Sequence, residues 1–222
     1  MTLDRIKSET KIRNYILLSV FLSVYTLVLT GQNSRYAFSL EYSPHCSKIT
    51  DNFISEKLKI SHNIFLKSEY ISNGTIHPVF GIGFLNTGEK ETSEIRTLDI
   101  EEVIIKHHYN YLLFAFGASI KVQGFYLNPE LGVGYNISNK MMTITQYSNG
   151  KVEKKYRDED LFSGEFNSIS FPFLLSLGYE FQIGKVGLLS GLKGYYGMNK
   201  IVDDSPRKGH YYGFGLFLGI KL

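Results

Sequence analysis

A chain of 222 residues that is 43% hydrophobic, 14% aromatic and 20% charged has the makeup of one folded domain, which excludes an intrinsically disordered protein. Sixteen Tyr, 16 Phe and 21 Gly against five Pro and one Cys favour strands joined by tight turns and exclude a disulfide scaffold. A formal charge of +3 is too small for the basic face or stripe that nucleic acid needs, so no nucleic-acid partner is expected.

The chain opens with Lys7, Lys11 and Arg13, an apolar run over 15–29, and then the polar Thr30-Gly31-Gln32-Asn33. That order is the order of a secretory signal peptide, with cleavage expected near Gly31 and residues 1–31 removed. The apolar run is shorter than the ~20 residues a spanning helix prefers. The single cysteine, Cys46, lies beyond that point and is not placed to carry a lipid anchor.

From residue 32 onward the dominant pattern is alternation with a period of two, the signature of strands with one apolar face. In the first segment Tyr36, Phe38, Leu40 and Tyr42 alternate with Ala37, Ser39, Glu41 and Ser43. Eight such segments are expected, at 35–43, 59–71, 75–86, 109–121, 124–137, 168–182, 185–198 and 210–222. Each reaches the ~9–11 residues that a tilted membrane strand requires. In the last of them Tyr212, Phe214, Leu216, Leu218, Ile220 and Leu222 share one face, while Gly213, Gly215, Gly219 and Lys221 share the other with Phe217.

The connections alternate in length: long at 44–58, short at Ser72-Asn73-Gly74, long at 87–108, short at Val122-Gln123, long at 138–167, short at Ile183-Gly184, and intermediate at 199–209. Short turns at one end and long loops at the other are the outer-membrane pattern. The expected fold is all-β: an eight-stranded antiparallel transmembrane β-barrel over 32–222. Closure follows because an open sheet edge in hydrocarbon leaves unpaired backbone groups costing several kcal/mol each. Eight strands leave an interior that side chains fill, and Gly132, Gly134, Gly178, Gly187, Gly191, Gly213 and Gly215 relieve its crowding.

The same alternation turns Glu41, Lys67, Glu69, Lys121, Glu130, Glu180 and Lys193 inward, with nearly balanced signs. A gated polar pathway is one reading; a static paired network that fills the interior is the simpler one, because buried charges persist only when paired. Aromatic girdles are expected from Tyr36, Tyr42, Tyr70, Tyr111, Phe125, Tyr135 and Tyr179. In the longest connection, 141–147, Asn149-Gly150 and 151–157 read as a hairpin with a type I′ turn projecting above the membrane. Its tip carries Lys151, Lys154, Lys155, Arg157, Asp158, Glu159 and Asp160, a solvated loop or a partner-binding surface.

Signals of chemistry are thin, and no catalytic site, metal or cofactor is expected. His107 and His108 are adjacent, so a strand points them to opposite faces; Ser190 and Lys193, three apart, also face opposite ways. His45-x-Ser47, with Glu41 on the same face, is similar to the His-x-Ser arrangement of barrel-type lipid A deacylases, although Pro44 places it at an expected loop entrance.

The segments at 111–122 (YLLFAFGASIKV), 125–137 (FYLNPELGVGYNI), 168–181 (SISFPFLLSLGYEF), 191–201 (GLKGYYGMNKI) and the final GFGLFLGIKL together resemble the small outer-membrane barrel families of Bacteroidota, the PorT-like group among them, and OmpA-like eight-stranded barrels. The resemblance implies a structural, interaction or secretion-accessory protein of the outer membrane. Its implied partners are outer-membrane lipid, the barrel-insertion machinery and a protein at the long loops. A narrow pore, a lipid-modifying enzyme and a secreted lipocalin-like binding barrel are the alternatives.

Overall fold

The computed structural model describes residues 35–49, 56–93, 99–159, 168–200 and 209–222; the expected signal peptide at 1–31 lies outside them. In chain order the strands are β1 (Tyr36–Ile49), β2 (Glu56–Lys57), β3 (Lys59–Tyr70), β4 (Ile76–Ser93), β5 (Ile100–Val122), β6 (Phe125–Tyr147), β7 (Val152–Glu159), β8 (Ile169–Ser170), β9 (Pro172–Ile183), β10 (Val186–Gly197) and β11 (Tyr211–Lys221). Eight of them form a closed ring in the order β1, β3, β4, β5, β6, β9, β10, β11, each antiparallel to its neighbours. The seam between β1 and β11 runs to the last residue, where Phe38 and Leu222 exchange backbone hydrogen bonds of 3.0 and 2.8 Å. No edge is left within the ring, as hydrocarbon demands.

Alternation decides which side chains face out. Leu40, Ile64, Phe80, Phe114, Phe125, Leu131, Leu177, Leu192, Phe214 and Leu218 are all exposed on the outer wall, where a soluble protein would place polar groups. This apolar band ends on β4, β5 and β6 at a polar row. There Asn86 Nδ2 donates to Asn110 Oδ1 (2.6 Å), and Asn110 Nδ2 donates to the Ser138 carbonyl (3.3 Å) and hydroxyl (3.2 Å). The closed ring with its apolar outer wall is a membrane-spanning barrel.

Beyond the polar row the wall continues on one side only. β5 and β6, 23 residues each, run far past the 11 or 12 of β9, β10 and β11, and with β4, β7 and the two-residue β2 on the edge of β4 they form a fin. The sequence pattern placed loops at 44–58 and 87–108, yet β1 extends to Ile49, β4 to Ser93, and β5 starts at Ile100. The apolar alternation fades where the wall leaves the lipid, while backbone pairing continues. A register shift between Asn110 and Tyr111 leaves Ile137 of β6 as the extra residue, so the outward positions of β6 pass from Tyr135 to Ser138 and Lys140 while β5 keeps its alternation.

At the other end the turns sit one residue later than the sequence pattern placed them. Val122 pairs with Phe125 around Gln123 (φ 51°) and Gly124 (φ 86°), a type I′ turn. Ile183 pairs with Val186 around Gly184 (φ 62°) and Lys185. The β6–β7 hairpin forms over 139–159, but not with a type I′ turn. The Gly150 amide donates to the Tyr147 carbonyl (2.9 Å), Tyr147 N–H donates to Lys151 O (2.9 Å), and Gly150 alone has a positive φ, 81°. This is a type I turn closed by a glycine bulge. A Cβ at Gly150 would meet open space, so only backbone conformation opposes it. Gly150→Ala is expected to cost the hairpin about 1 kcal/mol, read as faster protease nicking near residue 150 with the barrel still folded.

Candidate functional site

The lumen is the place where the inner-face residues meet. The seven inward charges expected from alternation all stand inside the ring, Lys59 is buried on the same face of β3 nearer the fin, and Lys221 joins the seven to make eight that pair with one another. They sort into two groups of two lysines and two glutamates. Near the short turns, Lys121 lies 2.7 Å from Glu69 and 3.0 Å from Glu180, and Lys221 lies 2.7 Å from Glu69 and 3.1 Å from Glu180, a closed square. Deeper in, Glu41 takes Lys193 at 2.7 Å and Lys67 at 3.3 Å, and Lys67 also contacts Glu130. All four residues of this inner group are buried. The Lys193 ammonium stands 4.1 Å above the Phe65 ring, and Phe217, the one large apolar residue of its face, packs 6.1 Å from Tyr126.

Between the two groups lies a cavity of about 20 Å³ lined by Ser119, Tyr126 and Asn128 as well as charges of both. That is room for about one water molecule. Ser119 Oγ, Tyr126 OH and Asn128 Oδ1 have no protein hydrogen-bond partner, which suits such a water. Above the inner group the lumen is closed by aromatic rings. Tyr111 stacks on Tyr211 at 5.9 Å, and Tyr195 meets Tyr211 at 5.9 Å. Tyr111 therefore corrects the expected girdle: Leu112, Phe114 and Phe116 take the lipid side of β5, so period two turns Tyr111 inward. Tyr36, Tyr42 and Phe125 at the exterior are exposed, as is Tyr135, and Phe125 packs 4.8 Å from Tyr179.

His45 and Ser47 are not at a loop entrance but inside β1, buried on the inner face. Each serves a different neighbour. His45 places Nδ1 3.1 Å from Ser43 O and Nε2 3.1 Å from Asn86 O, while Ser47 Oγ lies 2.9 Å from Ser61 Oγ and donates to Gly88 O (3.1 Å). Glu41, the candidate orienting acid, is held by the two lysines. A nucleophile, base and acid in mutual hydrogen-bond reach are not assembled by these three residues.

His107 and His108 face opposite sides, as adjacency requires, but the ladder gives His107 other company. Glu89 lies directly opposite it, and the ligand atoms of Glu89, Glu91 and His107 all lie within 4.8 Å of one another at the base of the fin. Two carboxylates and an imidazole are a donor set that could hold a transition-metal cation. Sequence spacing could not show it, because the grouping depends on β4–β5 register. On the hairpin, Lys151 pairs with Glu153 at 2.8 Å, and Lys154, Lys155 and Arg157 are exposed. Asp158 and Glu159 end β7, and Asp160 lies outside the described residues.

A closed eight-stranded antiparallel ring with an apolar outer wall and a salt-bridged interior defines a small transmembrane β-barrel of the outer-membrane type. Several solved structures are similar to this chain. Ail, the attachment invasion locus protein of Yersinia pestis, is 15% identical, over 84% of this chain and 97% of its own, with a TM-score of 0.42. A major outer membrane protein from Thermus thermophilus is 12% identical over 84% and 98% of the two chains, with a TM-score of 0.40. Neisserial surface protein A is 10% identical over 85% and 97%, with a TM-score of 0.36. No protein-family model matches the sequence, and no curated protein matches it.

Proposed function

We propose that the chain is exported by its 1–31 signal peptide, stands in the bacterial outer membrane with its short turns in the periplasm, and serves an interaction role through the fin and the long connections outside. The observation that carries this reading is the asymmetry of the wall: apolar all round the ring, then continued mainly on β4–β7, with β2 at the edge of β4, as a sheet of mixed polar and apolar residues. The lumen supports a static core over a conducting path, since both charge groups are internally neutral and pack with aromatic rings. A secretion-accessory role of the PorT-like kind is the finer form of the proposal.

The test is gel mobility of the detergent-extracted membrane fraction with and without heating, together with protease treatment of intact cells. The folded barrel is expected to run faster than the heated chain, and cleavage is expected at the exposed turn of the β6–β7 hairpin near Gly150. A chain that stays out of the membrane fraction and shows no mobility shift sinks the reading, and turns the interior into a ligand cavity of a soluble barrel.

A further inference from the structure

Residues opposite each other on a ladder share a face, and at the base of the fin this sorts charge by side. The face that continues the lipid-facing wall carries Lys90 opposite Lys106 and His108 opposite Lys140. The face that continues the lumen carries Glu89 opposite His107, with Glu91 two residues farther along β4. The lysines of β4, β5 and β6 at this height therefore point away from the two acids. Lys59, buried on the lumen face of β3, donates its ammonium to Thr87 O (2.9 Å) and Asn86 Oδ1 (3.3 Å).

Three donors converge on the lumen-side face. An oxygen from each glutamate and a ring nitrogen of His107 lie within 4.8 Å of one another. Two features of the fold put them there. Glu89 and Glu91 are two apart on one strand, so a period of two sends both side chains to the same side. Gly88, at φ 144°, brings β4 hard against β5: a Cβ there would lie 1.9 Å from the His107 carbonyl oxygen, so only glycine permits the approach.

Burial gives the group its character. Glu89 is 6% exposed and His107 8%, while the half-buried Glu91 leaves an ion a way in from solvent. The His107 ring lies nearly parallel to that of Tyr109, at 7° with centroids 6.3 Å apart, and its Nδ1 is buried and makes no hydrogen bond. Two carboxylates and a neutral imidazole carry a charge of −2, which one divalent cation neutralises. The donors also choose among cations. Calcium and magnesium take oxygen ligands, whereas imidazole beside carboxylate suits zinc and its transition-metal neighbours. Zinc accepts three protein ligands and keeps a fourth position for water. Its bonds of ~2.0–2.1 Å set tetrahedral donors roughly 3.4 Å apart, within reach of side-chain rotation by two glutamates already in a 4.8 Å group. We infer that Glu89, Glu91 and His107 bind one zinc-class divalent cation, which clamps β4 to β5 where the sheet leaves the lipid-facing wall. The inference rests on the β4–β5 register and on neither the export nor the partner reading above.

The experiment uses the full folded chain, extracted from membranes in detergent, stripped with EDTA and titrated with zinc chloride by calorimetry. Amide hydrogen exchange is then followed with and without zinc. One zinc per chain is expected, with exchange slowed at 87–93 and 103–109 and unchanged on β9 and β10. His107→Gln and Glu91→Gln are each expected to weaken zinc at least about tenfold, since even an outer-shell partner of a metal is worth that much. Cys46→Ser, which removes the one thiol, and His108→Gln on the opposite face are expected to leave it unchanged. Zinc that binds equally well to His107→Gln, or that slows exchange elsewhere, overturns the assignment, as does a folded chain that takes up no zinc. Calcium that matches zinc in affinity and slows the same amides overturns the choice of cation. The wild-type titration and exchange map decide the matter even where a variant does not fold.

Discussion

Glu41→Gln is expected to destabilise the folded barrel by about 3–5 kcal/mol, the cost of removing one partner from a buried ion pair. Glu41 is 2% exposed and is the carboxylate that pairs with Lys193, while Lys67 divides itself between Glu41 and Glu130. The variant leaves two lysines and one glutamate in a closed interior, with Lys193 left against the rings of Phe65 and Phe217. Removing both members together should cost far less: Glu41→Leu with Lys193→Met keeps the Lys67–Glu130 pair and fills the space with apolar atoms. The measurement is the folded fraction against urea by gel mobility and by circular dichroism, since the chain has no tryptophan. A loss below about 1 kcal/mol for Glu41→Gln would mean that water already reaches Lys193, and would strengthen the case for a conducting lumen.

A second large effect is expected at Gly191 on β10. A Cβ there would lie 2.2 Å from Leu177 O, 2.5 Å from Gly178 Cα and 2.9 Å from the Phe217 ring. Two of these three are backbone of the neighbouring strand, so the clash can be relieved only by opening the β9–β10 ladder. Gly191→Val should therefore prevent closure and abolish the heat-dependent mobility shift, a loss of more than about 4 kcal/mol. Three residues on, Gly194 is the matched control. A Cβ there meets nothing nearer than Gly213 O at 3.7 Å, so Gly194→Ala should leave folding unchanged within about 1 kcal/mol. A folded Gly191→Val barrel would show that the inner wall yields more than the close approach of these strands implies.

Together the two variants probe different terms of one constraint. An eight-stranded ring has an interior about one layer of side chains deep, so each large inner residue requires a small one across from it. Gly213 shows the same arrangement, its Cβ position 2.4 Å from the Tyr195 ring, and Gly197 lies against the Tyr211 ring. Where the inner residue is charged rather than large, the constraint becomes pairing, and the two neutral groups of four meet it.

The amino-acid pattern by itself determined the number of membrane strands, their alternation, the faces of Glu41, Lys67, Glu69, Lys121, Glu130, Glu180 and Lys193, and the hairpin around Asn149 and Gly150. Each of these is local: a period of two fixes the side of the sheet, and a glycine beside an asparagine fixes a turn. Only the tertiary structure decided which charges meet. Lys221, 41 positions from Glu180 and 152 from Glu69, bonds both because closure brings β11 beside β1 and across from β9. The fin was beyond the pattern for a related reason. Past the lipid, strands such as 100–110 no longer need an apolar face, so pairing continues where alternation stops. Register then gathered Glu89, Glu91 and His107 on one side of the fin, and Lys90, Lys106 and Lys140 on the other, because each of these groupings crosses between strands and is set by how the sheet closes.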